Sequence, residues 1–416
     1  MRLADSLCHH KRPVEECLKA LLLENISGVA KENFMQAGFE VESLPGALTA
    51  TQLAEKLRDV VVLGIRSKTT ITKAALDAAG SLLAVGAFCI GVDQVDRAAC
   101  SHGGIAVFND PHSNSRSVAE LALGEIIMLL RRTFAASTEL HRGTWNKTAA
   151  GSHEVRGLLL GIVGYGRIGS QLSDLAEAFG MRVVFSDVTD VLARGNAKRC
   201  TFEELLQQAD IVTLHVDGKP RNRNLFGADE FRLMKPGAHF LNLSRGFVVD
   251  HEALARNLDS GRIAGAAVDV FPNEPESRGP FASPLQNLPN VILTPHIGGS
   301  TEEAQQNIGQ FVSSRLVEYL QTGNTMLSVN LPHCQLEHSL DSHRLTHIHQ
   351  NVPGMLFAVN EALARRSINI ERQILETRGE LGYAIYDINQ PCDAALLREL
   401  ENIPHTIRVR TIRPCP

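Results

Sequence analysis

Short apolar runs alternate with amphipathic stretches along the first third of the chain. Runs that are apolar throughout predict strands buried on both faces, and stretches with helical spacing predict helices between them. This alternation is typical of a parallel sheet in an α/β domain. The strands are predicted at Ala20–Leu23, Val60–Ile65, Leu82–Gly86 and Ile105–Phe108, and the helices at Lys31–Ala37 and Thr51–Leu57.

A long helical pattern at Ser117–Arg131 separates this part from a second series of strands and short helices. Ser117 is predicted to cap this helix, with Glu120 completing a capping box. The second series has the rhythm of a doubly wound nucleotide-binding domain. Its strands are predicted at Leu158–Val163, Arg182–Phe185, Ile211–His215, His239–Leu243, Gly265–Val270 and Val291–Thr294.

The pattern breaks in a polar stretch around Gln321–Ser342, and a third pattern follows it. The order strand, helix, strand, strand, helix, strand predicts a small ferredoxin-like βαββαβ domain. The fold class is therefore α/β, with two doubly wound parallel-sheet domains and a βαββαβ domain. The elements of the last domain are predicted at Leu345–His349, Gly354–Arg365, Ile368–Glu376, Gly382–Ile388, Ala394–Asn402 and Thr406–Arg410.

Composition narrows the classes of function. With 41 basic and 46 acidic residues the 416-residue chain has a formal charge of -5, which argues against a nucleic-acid binder. No apolar run reaches the ~18–20 residues that span a bilayer, and the first residues are too polar for a secretory signal. The eight cysteines are scattered without a CxxC pair, so we expect a cytoplasmic protein with reduced thiols. We expect no metal site, either at Cys8–His9–His10 or among His333, His338, His343, His347 and His349.

The segment GIVGYGRIGSQL contains Gly164, Gly166 and Gly169 in GxGxxG spacing, before a helix predicted at Ser170–Phe179. The first glycine permits a tight turn, the second lets a pyrophosphate approach the backbone, and the third lets the helix pack close to the strand. Asp187 ends the next strand about 20 residues later, where an acid binds the ribose hydroxyls and repels a 2′-phosphate. The spacing therefore predicts a site for NAD rather than NADP.

Three residues with the chemistry for hydride transfer follow predicted strands of the second series: Arg245, Glu274 and His296. Because the carboxyl ends of parallel strands border the ligand crevice, we expect these side chains to reach one cleft. Oxidation of a secondary alcohol needs a base for the hydroxyl proton, and histidine titrates in the useful range. A glutamate beside it holds its tautomer, and an arginine binds a carboxylate and polarises a developing carbonyl.

With these residues in place, the chain resembles the D-isomer-specific 2-hydroxyacid dehydrogenase family. The resemblance rests on the motifs GYGRIG, LNLSRGFVVD, GAAVDVFPNEP and LTPHIGGST, and upstream on RSKT, AFCIGVDQVD, NDPHSNSRSVAEL and HRGTWNKTAAGS. It implies two Rossmann-like domains, with His296 as the acid/base, Glu274 as its partner and Arg245 as the substrate-binding arginine. The implied domains are 1–112 with 298–330 for substrate binding, 113–297 for NAD binding, a linker at 331–341 and a regulatory domain at 342–416.

The resemblance also implies which residues contact bound NAD. Asp269 is expected near the nicotinamide amide. Besides the three glycines and Asp187, the implied contacts are Arg167, Ile168, Leu243, Ser244, Asp269, Ile297, Gly298 and Gly299.

A phosphorylated hydroxy acid needs two anion sites. For the carboxylate we predict backbone amides of a loop at Val85–Ala87, centred on Gly86, together with Arg245. For the phosphate we predict side chains that follow the strand Val60–Ile65, because they face the same crevice. These are Arg66, Ser67 and Lys68, with Lys147 as a further point charge and Asn114 and Arg116 as further candidates.

The last domain resembles an ACT domain, a common amino-acid sensor. The resemblance implies L-serine as the ligand, bound by His349 and Asn351 in HIHQNVPG and by Asn369 in SINI. Amide and imidazole groups suit a zwitterion because they bond both ammonium and carboxylate. Because an isolated βαββαβ sheet exposes an edge strand, we expect the tails of two chains to pair within a homotetramer.

Taken together, the resemblance implies NAD-dependent oxidation of 3-phospho-D-glycerate to 3-phosphohydroxypyruvate, the first step of L-serine biosynthesis, with feedback inhibition by L-serine. Two alternatives stay open. One is another D-2-hydroxyacid dehydrogenase, of the glyoxylate or hydroxypyruvate reductase type; the tail and the basic cluster Arg66–Lys68 argue against it. The other is a non-catalytic NAD-sensing binding module, like the transcriptional corepressors of this fold, which steady turnover of 3-phosphoglycerate would exclude.

Overall fold

The computed structural model describes residues 18–275, 278–337 and 342–412. The predictions for Cys8–His9–His10 and for positions 338–341 of the linker lie outside the described residues. The chain divides into two units. One comprises Met1–Pro111 with Gln305–Pro416, and the other comprises His112–Ala304.

The first unit contains a five-stranded parallel sheet with the strand order β2-β1-β3-β4-β5. Its central strand β3 is buried at every position, as an interior parallel strand requires. The predicted strands and helices are all present. The elements are β1 (Lys19–Leu22), α1 (Gly28–Gln36), β2 (Glu40–Ser43), α2 (Ala50–Lys56), β3 (Val60–Ile65), α3 (Lys73–Asp77), β4 (Ala84–Ala87), α4 (Arg97–His102) and β5 (Ala106–Asn109).

The second unit contains a seven-stranded parallel sheet with the order β12-β11-β10-β9-β6-β7-β8. Apolar clusters cover both of its faces, so the doubly wound prediction is confirmed. The strands are β6 (Leu159–Val163), β7 (Arg182–Ser186), β8 (Lys198–Arg199), β9 (Ile211–Leu214), β10 (Ala238–Asn242), β11 (Ile263–Val268) and β12 (Val291–Leu293). The helices are α5 (Ser115–Leu130), α6 (Thr133–His141), α7 (Arg167–Ala178), α8 (Phe202–Gln208), α9 (Ala228–Leu233) and α10 (His251–Asp259).

A helix, α11 (Glu302–Thr322), leads back to the first unit, where an antiparallel sheet with the order β14-β15-β13-β16 forms the tail. The element order matches the predicted βαββαβ pattern. The elements are β13 (His343–Gln350), α12 (Met355–Ala364), β14 (Ile370–Arg378), β15 (Leu381–Ile388), α13 (Ala394–Glu401) and β16 (Thr406–Ile412).

The tail sheet shares a buried apolar cluster with the first sheet and with α11. Phe108 and Tyr319 belong to this cluster, and so do Tyr383 and Ile385 of β15. The Tyr383 hydroxyl donates a hydrogen bond to the carbonyl oxygen of Gly323 at 2.7 Å. Removing the tail would therefore expose apolar surface on the first domain.

Arg344 fastens the chain before β13 to the tail sheet. It is fully buried and forms a bidentate ion pair with Asp387, at 2.7 Å from Nε and 3.0 Å from Nη2. Its remaining N–H groups donate to three backbone carbonyls, those of Thr322, Leu336 and Glu337, at 2.8–3.0 Å. Arg344 thus binds the end of α11 at Thr322 and the described part of the predicted linker at Leu336 and Glu337.

Helix α5 corrects the predicted helix start. The helix begins at Ser115, its N-cap is Asn114, and no side chain forms a cap hydrogen bond. Ser117 lies inside the helix with its Oγ 3.0 Å from the Thr301 hydroxyl, and Glu120 pairs with Arg116 at 2.6 Å. The capping-box prediction was therefore wrong, because the N-cap lies three residues earlier than predicted. Among the helices of the described residues, none combines the length and the apolar composition that crossing a bilayer requires.

Candidate active site

The glycine turn between β6 and α7 has the geometry that its spacing predicts. Gly164 has φ of +92°, and a methyl group there would lie 2.6 Å from the carbonyl oxygen of His215. A methyl group at Gly169 would overlap the Gly164 carbonyl, so this glycine allows the helix to pack on the turn. Gly166 has open space around it and caps α7 without a side chain. The first turn of α7 therefore presents free amides to an anion.

Asp187 closes this turn from the neighbouring strand. Its carboxylate accepts hydrogen bonds from the backbone N–H of Tyr165 and from both the N–H and the hydroxyl of Thr189, each at 2.8 Å. Partial burial raises the pKa of Asp187, but these hydrogen bonds and the charge of Arg199 outweigh it, so the pKa lies below its ordinary value. The group is therefore an anion at neutral pH.

The turn that carries Arg245 is shaped by a residue that sequence reasoning missed. Asn242, buried at the end of β10, accepts from the N–H (3.1 Å) and the hydroxyl (2.7 Å) of Ser244, and donates to the carbonyl oxygen of Arg245 at 3.1 Å. The next residue, Gly246, touches the backbone of Phe271 so closely that any side chain would overlap it. This contact brings the Arg245 turn against the loop that holds Glu274.

Asp269 organises the turn that carries His296. Its buried carboxylate accepts from the Thr294 hydroxyl at 2.6 Å and from the backbone N–H groups of Ile297 and Gly298 at 2.8 Å each. His296 itself has φ of +54°, a left-handed backbone conformation that these bonds stabilise. Asp269 thus holds both sides of the histidine in place.

His296 and Glu274 form the predicted pair. Nδ1 of His296 lies 2.8 Å from Oε2 of Glu274, whose other oxygen accepts from the N–H of Phe271 at 3.0 Å. Burial raises the pKa of Glu274, but the bonds from His296 and Phe271 and the charges of His296 and Arg245 lower it below its ordinary value. An ionised glutamate at Nδ1 fixes the tautomer with its proton on Nδ1 and leaves Nε2 as the basic nitrogen.

Three other predicted substrate residues lie in the same unit. Arg116 is exposed on α5 and pairs with Glu120. The Asn114 amide fills the space beside Gly299, where any side chain would overlap it, so Asn114 adjoins the His296 turn. Lys147 is exposed, in a segment without helix or strand.

The other predicted anion residues lie in the first unit. Arg66 is half-buried, and Ser67 and Lys68 are exposed directly after β3. Glu24, which sequence reasoning missed, shapes this loop by accepting from the backbone N–H of Lys68 at 2.9 Å and of Thr69 at 2.8 Å.

The prediction of a loop at Val85–Ala87 was wrong. These residues belong to β4 and pair with β5, and Gly86 is buried where a side chain would collide with Leu316 and Val312. The missing side chain of Gly86 lets α11 pack on the strand, which extends the strand beyond the predicted end.

In the tail, the predicted serine residues separate into two places. His349 is buried in β13 with Nδ1 2.8 Å from the carbonyl oxygen of Gln350, and its Nε2 has no hydrogen-bond partner among the described residues. Asn351 is exposed and donates to the Gly379 carbonyl at 3.2 Å. Asn369 lies at the opposite end of β15, where its N–H donates to Asn389 at 3.0 Å.

Comparison with known proteins places this geometry in a family. Residues 123–298 match the D-isomer specific 2-hydroxyacid dehydrogenase, NAD binding domain, and residues 345–408 match the AHAS small subunit-like ACT domain. The chain is 48% identical over 403 residues to the D-3-phosphoglycerate dehydrogenase of Escherichia coli (strain K12), covering 95% of this chain and 97% of that one. It is 46% identical over 397 residues to the D-3-phosphoglycerate dehydrogenase of Dictyostelium discoideum, with the same coverage. The crystal structure of the TT0316 protein from Thermus thermophilus matches with a TM-score of 0.68 and 31% identity, over 73% of this chain and 97% of that chain.

The fold and the site define an NAD-dependent 2-hydroxyacid dehydrogenase with a C-terminal ACT domain. The chain's own geometry fits the cofactor, because the open space at Gly166 and the uncapped start of α7 leave room and amides for a pyrophosphate. Since the identity extends over nearly the whole of both chains, this chain belongs to the D-3-phosphoglycerate dehydrogenase family.

Proposed function

We propose that the chain oxidises 3-phospho-D-glycerate to 3-phosphohydroxypyruvate with NAD, as the first step of L-serine biosynthesis, and that L-serine inhibits it. The observation that carries this proposal is the 2.8 Å bond between Nδ1 of His296 and Oε2 of Glu274. It leaves Nε2 as a base whose orientation is fixed by a carboxylate. The basic residues after β3 and the ACT domain support the particular substrate and inhibitor.

In the proposed mechanism, Nε2 of His296 takes the proton of the substrate's C2 hydroxyl. Glu274 stabilises the imidazolium that forms, because its carboxylate lies at Nδ1. Arg245 binds the substrate carboxylate and polarises the oxygen that becomes the ketone. Bound NAD supplies the acceptor for the hydride that leaves C2. His296 then releases the proton to water, which returns the site to its starting state.

The remaining residues are proposed to bind and orient. Asp187 binds the ribose hydroxyls, and the amides that follow Gly166 bind the pyrophosphate. Asp269 orients the nicotinamide side of the site through the turn that it holds. Arg66, Ser67 and Lys68 are proposed to bind the phosphate of the substrate, together with Lys147, while Asn114 borders the carboxylate.

A substrate panel tests the proposed activity. With NAD in excess, we expect kcat/KM for 3-phosphoglycerate to exceed that for D-glycerate and D-lactate, which lack the phosphate, by at least about 100-fold, since two charge-assisted contacts contribute about 3 kcal/mol or more. A kcat/KM for the NADH-linked reduction of glyoxylate or hydroxypyruvate that equals or exceeds the kcat/KM for 3-phosphoglycerate would favour the reductase alternative. No turnover of any of these substrates would favour a binding module.

Replacing Asp187 by alanine is expected to relax the preference for NAD. The substitution removes the carboxylate that repels a 2′-phosphate, while the glycine turn is unchanged. Asp190→Ala is the matched control, because this neighbouring carboxylate is fully exposed and pairs with Arg199. The measurement is the ratio of kcat/KM with NAD to that with NADP. A ratio that stays at the wild-type value in Asp187→Ala would refute the assignment.

The serine site is proposed to lie between two tails. Asn351 lies at the Leu381 end of β15 and Asn369 at the Ile388 end, so about 24 Å of strand separates them in one chain. A single serine therefore reaches both only if His349 and Asn351 come from one chain and Asn369 from its neighbour. The edge strand β14 offers the surface for this pairing.

Exposed apolar side chains of the second unit support a homotetramer. Phe134, Leu140 and Trp145 are 50%, 56% and 79% exposed on α6 and the segment after it. They are proposed as a second contact between chains, which together with pairing through β14 would build an assembly of four chains. The five described cysteines form no disulfide with one another, which supports a reducing, cytoplasmic location.

Replacing Asn351 by alanine is expected to abolish serine inhibition and to keep activity without serine. Asn351 is exposed and contacts only the backbone near Gly379, so its removal costs little stability. The control is Asn402→Ala, an exposed amide at the end of α13 in the same domain. The measurement is the serine concentration that halves NADH formation. A point substitution is preferable to deleting the tail, which would expose the apolar surface around Tyr319. Unchanged inhibition in Asn351→Ala would place the sensor elsewhere.

A further inference from the structure

Helix α5 carries a carboxyl group into the interior of the NAD-binding unit. Glu125 is completely buried, because α5 packs on α7 and on strands β10, β11 and β12. Val118, two helical turns earlier and on the same face, lies beside the turn of His296, because a methyl group added to Gly298 would be 3.7 Å from its side chain. Glu125 thus lies on the helix face that supports the catalytic turn.

Neither carboxyl oxygen of Glu125 has a hydrogen-bond partner among the described residues. An ionised carboxylate in such surroundings costs far more free energy than the neutral acid. Burial is the main cause that raises the pKa of Glu125, to about 8, and the negative charge of Asp269 adds to it.

Within the described part of the chain, the elements packed around Glu125 offer no compensating cation. The loop after β11 contributes the acidic Asp269. Strand β10 contributes the buried His239. Burial, with a smaller effect of the nearby His153, lowers the pKa of His239 to about 4, so His239 is neutral. β12 contributes only apolar residues. The other charged residues of α5, α6 and α7 are exposed or bonded to other groups. Arg116 pairs with Glu120, and Asp174 pairs with Arg194. Glu177 accepts from the N–H of Asn196 and Glu139 from the side-chain amide of Asn146, while His141 and Arg167 are exposed.

We propose that Glu125 is a positioning residue that acts as a neutral acid. With the proton of Glu125 in place, no charge on Glu125 opposes that of Asp269, which holds the three donors around His296. When Glu125 loses its proton, its buried negative charge repels that of Asp269, this arrangement is displaced, and His296 loses its fixed geometry. The chain therefore carries a proton-dependent support for its catalytic turn, separate from the His296–Glu274 pair.

The test compares Glu125→Gln with the wild type between pH 6 and pH 9. Glutamine has the shape of the neutral acid and cannot ionise. Glu120→Gln is the control, because this exposed carboxylate lies on the same helix and pairs with the exposed Arg116. The first readout is kcat for NADH-linked reduction of 3-phosphohydroxypyruvate, which rests on the proposed function. The second is the urea-induced unfolding of the full chain, which does not.

We expect the ratio of kcat at pH 9 to kcat at pH 7 to be up to about tenfold higher in Glu125→Gln, since one pH unit above a pKa about a tenth of the group keeps its proton. The folded chain binds this proton more tightly than the unfolded chain, so wild-type stability falls as the pH rises from 4.5 to about 8. Glu125→Gln lacks that fall, so its stability relative to the wild type increases across this range.

Three results would overturn the proposal. Parallel pH profiles of both readouts in Glu125→Gln and the wild type would mean that Glu125 does not titrate here. A loss of kcat in Glu125→Gln that is as large at pH 7 as at pH 9 would mean that the ionised carboxylate is needed. If Glu125→Gln does not fold, infrared spectra of the wild type test the proposal instead. The proposal requires a protonated-carboxyl band that disappears above pH 8. The absence of this band at pH 7 would contradict it. If 3-phosphohydroxypyruvate is not turned over, the proposed function fails, while the unfolding data still decide the role of Glu125.

Discussion

Replacing His296 by asparagine is expected to lower kcat by about 10²–10⁴-fold, the usual contribution of a general base. Asparagine keeps a polar side chain at this left-handed position, which asparagine tolerates, but it cannot take a proton. NADH binding is expected to persist, because Asp269 bonds the backbone of Ile297 and Gly298 and not the imidazole.

The measurement is kcat together with the dissociation constant for NADH from protein fluorescence. His153→Asn serves as the control, since His153 is an exposed histidine of the same unit. Wild-type kcat in His296→Asn would show that another group is the base. A loss of NADH binding equal to the loss of kcat would mean that His296 supports the cofactor site and not the proton transfer.

Replacing Asp387 by alanine is expected to lower the free energy of unfolding by about 3–5 kcal/mol, the cost of leaving a buried cation without its partner. Arg344 is fully buried and donates to both oxygens of Asp387, and Arg372 adds a third bond at 2.7 Å. Arg344 also donates to the backbone carbonyls of Thr322 and Glu337, so its displacement also loosens the chain that leads into the tail.

Urea-induced unfolding of the full chain measures this effect. The matched control is Glu399→Ala, because Glu399 pairs with Arg365 and Arg366 at the surface of the same domain. An exposed pair of this kind contributes about 0–1 kcal/mol. Equal losses in both variants would show that Arg344 finds solvent or another partner, and that the buried pair does not fasten the tail.

The glycine turn and the residues after each strand were predictable because they follow from a strict alternation. A strand that is apolar throughout must be covered on both faces, and its carboxyl end then meets the ends of its neighbours. This reasoning placed Asp187 after β7 and brought His296 and Glu274 together, a pair that the 2.8 Å bond confirms.

Residues that act through the backbone left no such signal. Asn242 and Glu24 are buried polar residues whose side chains bond amides and carbonyls nearby in space, and nothing in the spacing of the sequence marks them. The start of α5 was missed for a related reason, because Ser117 and Glu120 have capping-box spacing but sit inside a helix that began at Ser115. Gly86 was read as a loop residue, whereas it is the packing site for Leu316 on a distant helix.

The most direct test of the central claim is the formation of NADH by the purified full chain from NAD and 3-phosphoglycerate, followed with and without L-serine. We predict steady NADH formation that L-serine suppresses and that D-serine leaves unchanged, because the proposed site would fit one spatial arrangement of ammonium, carboxylate and side chain. A chain that binds NAD but forms no NADH from 3-phosphoglycerate, at any pH between 6 and 9, would contradict the account.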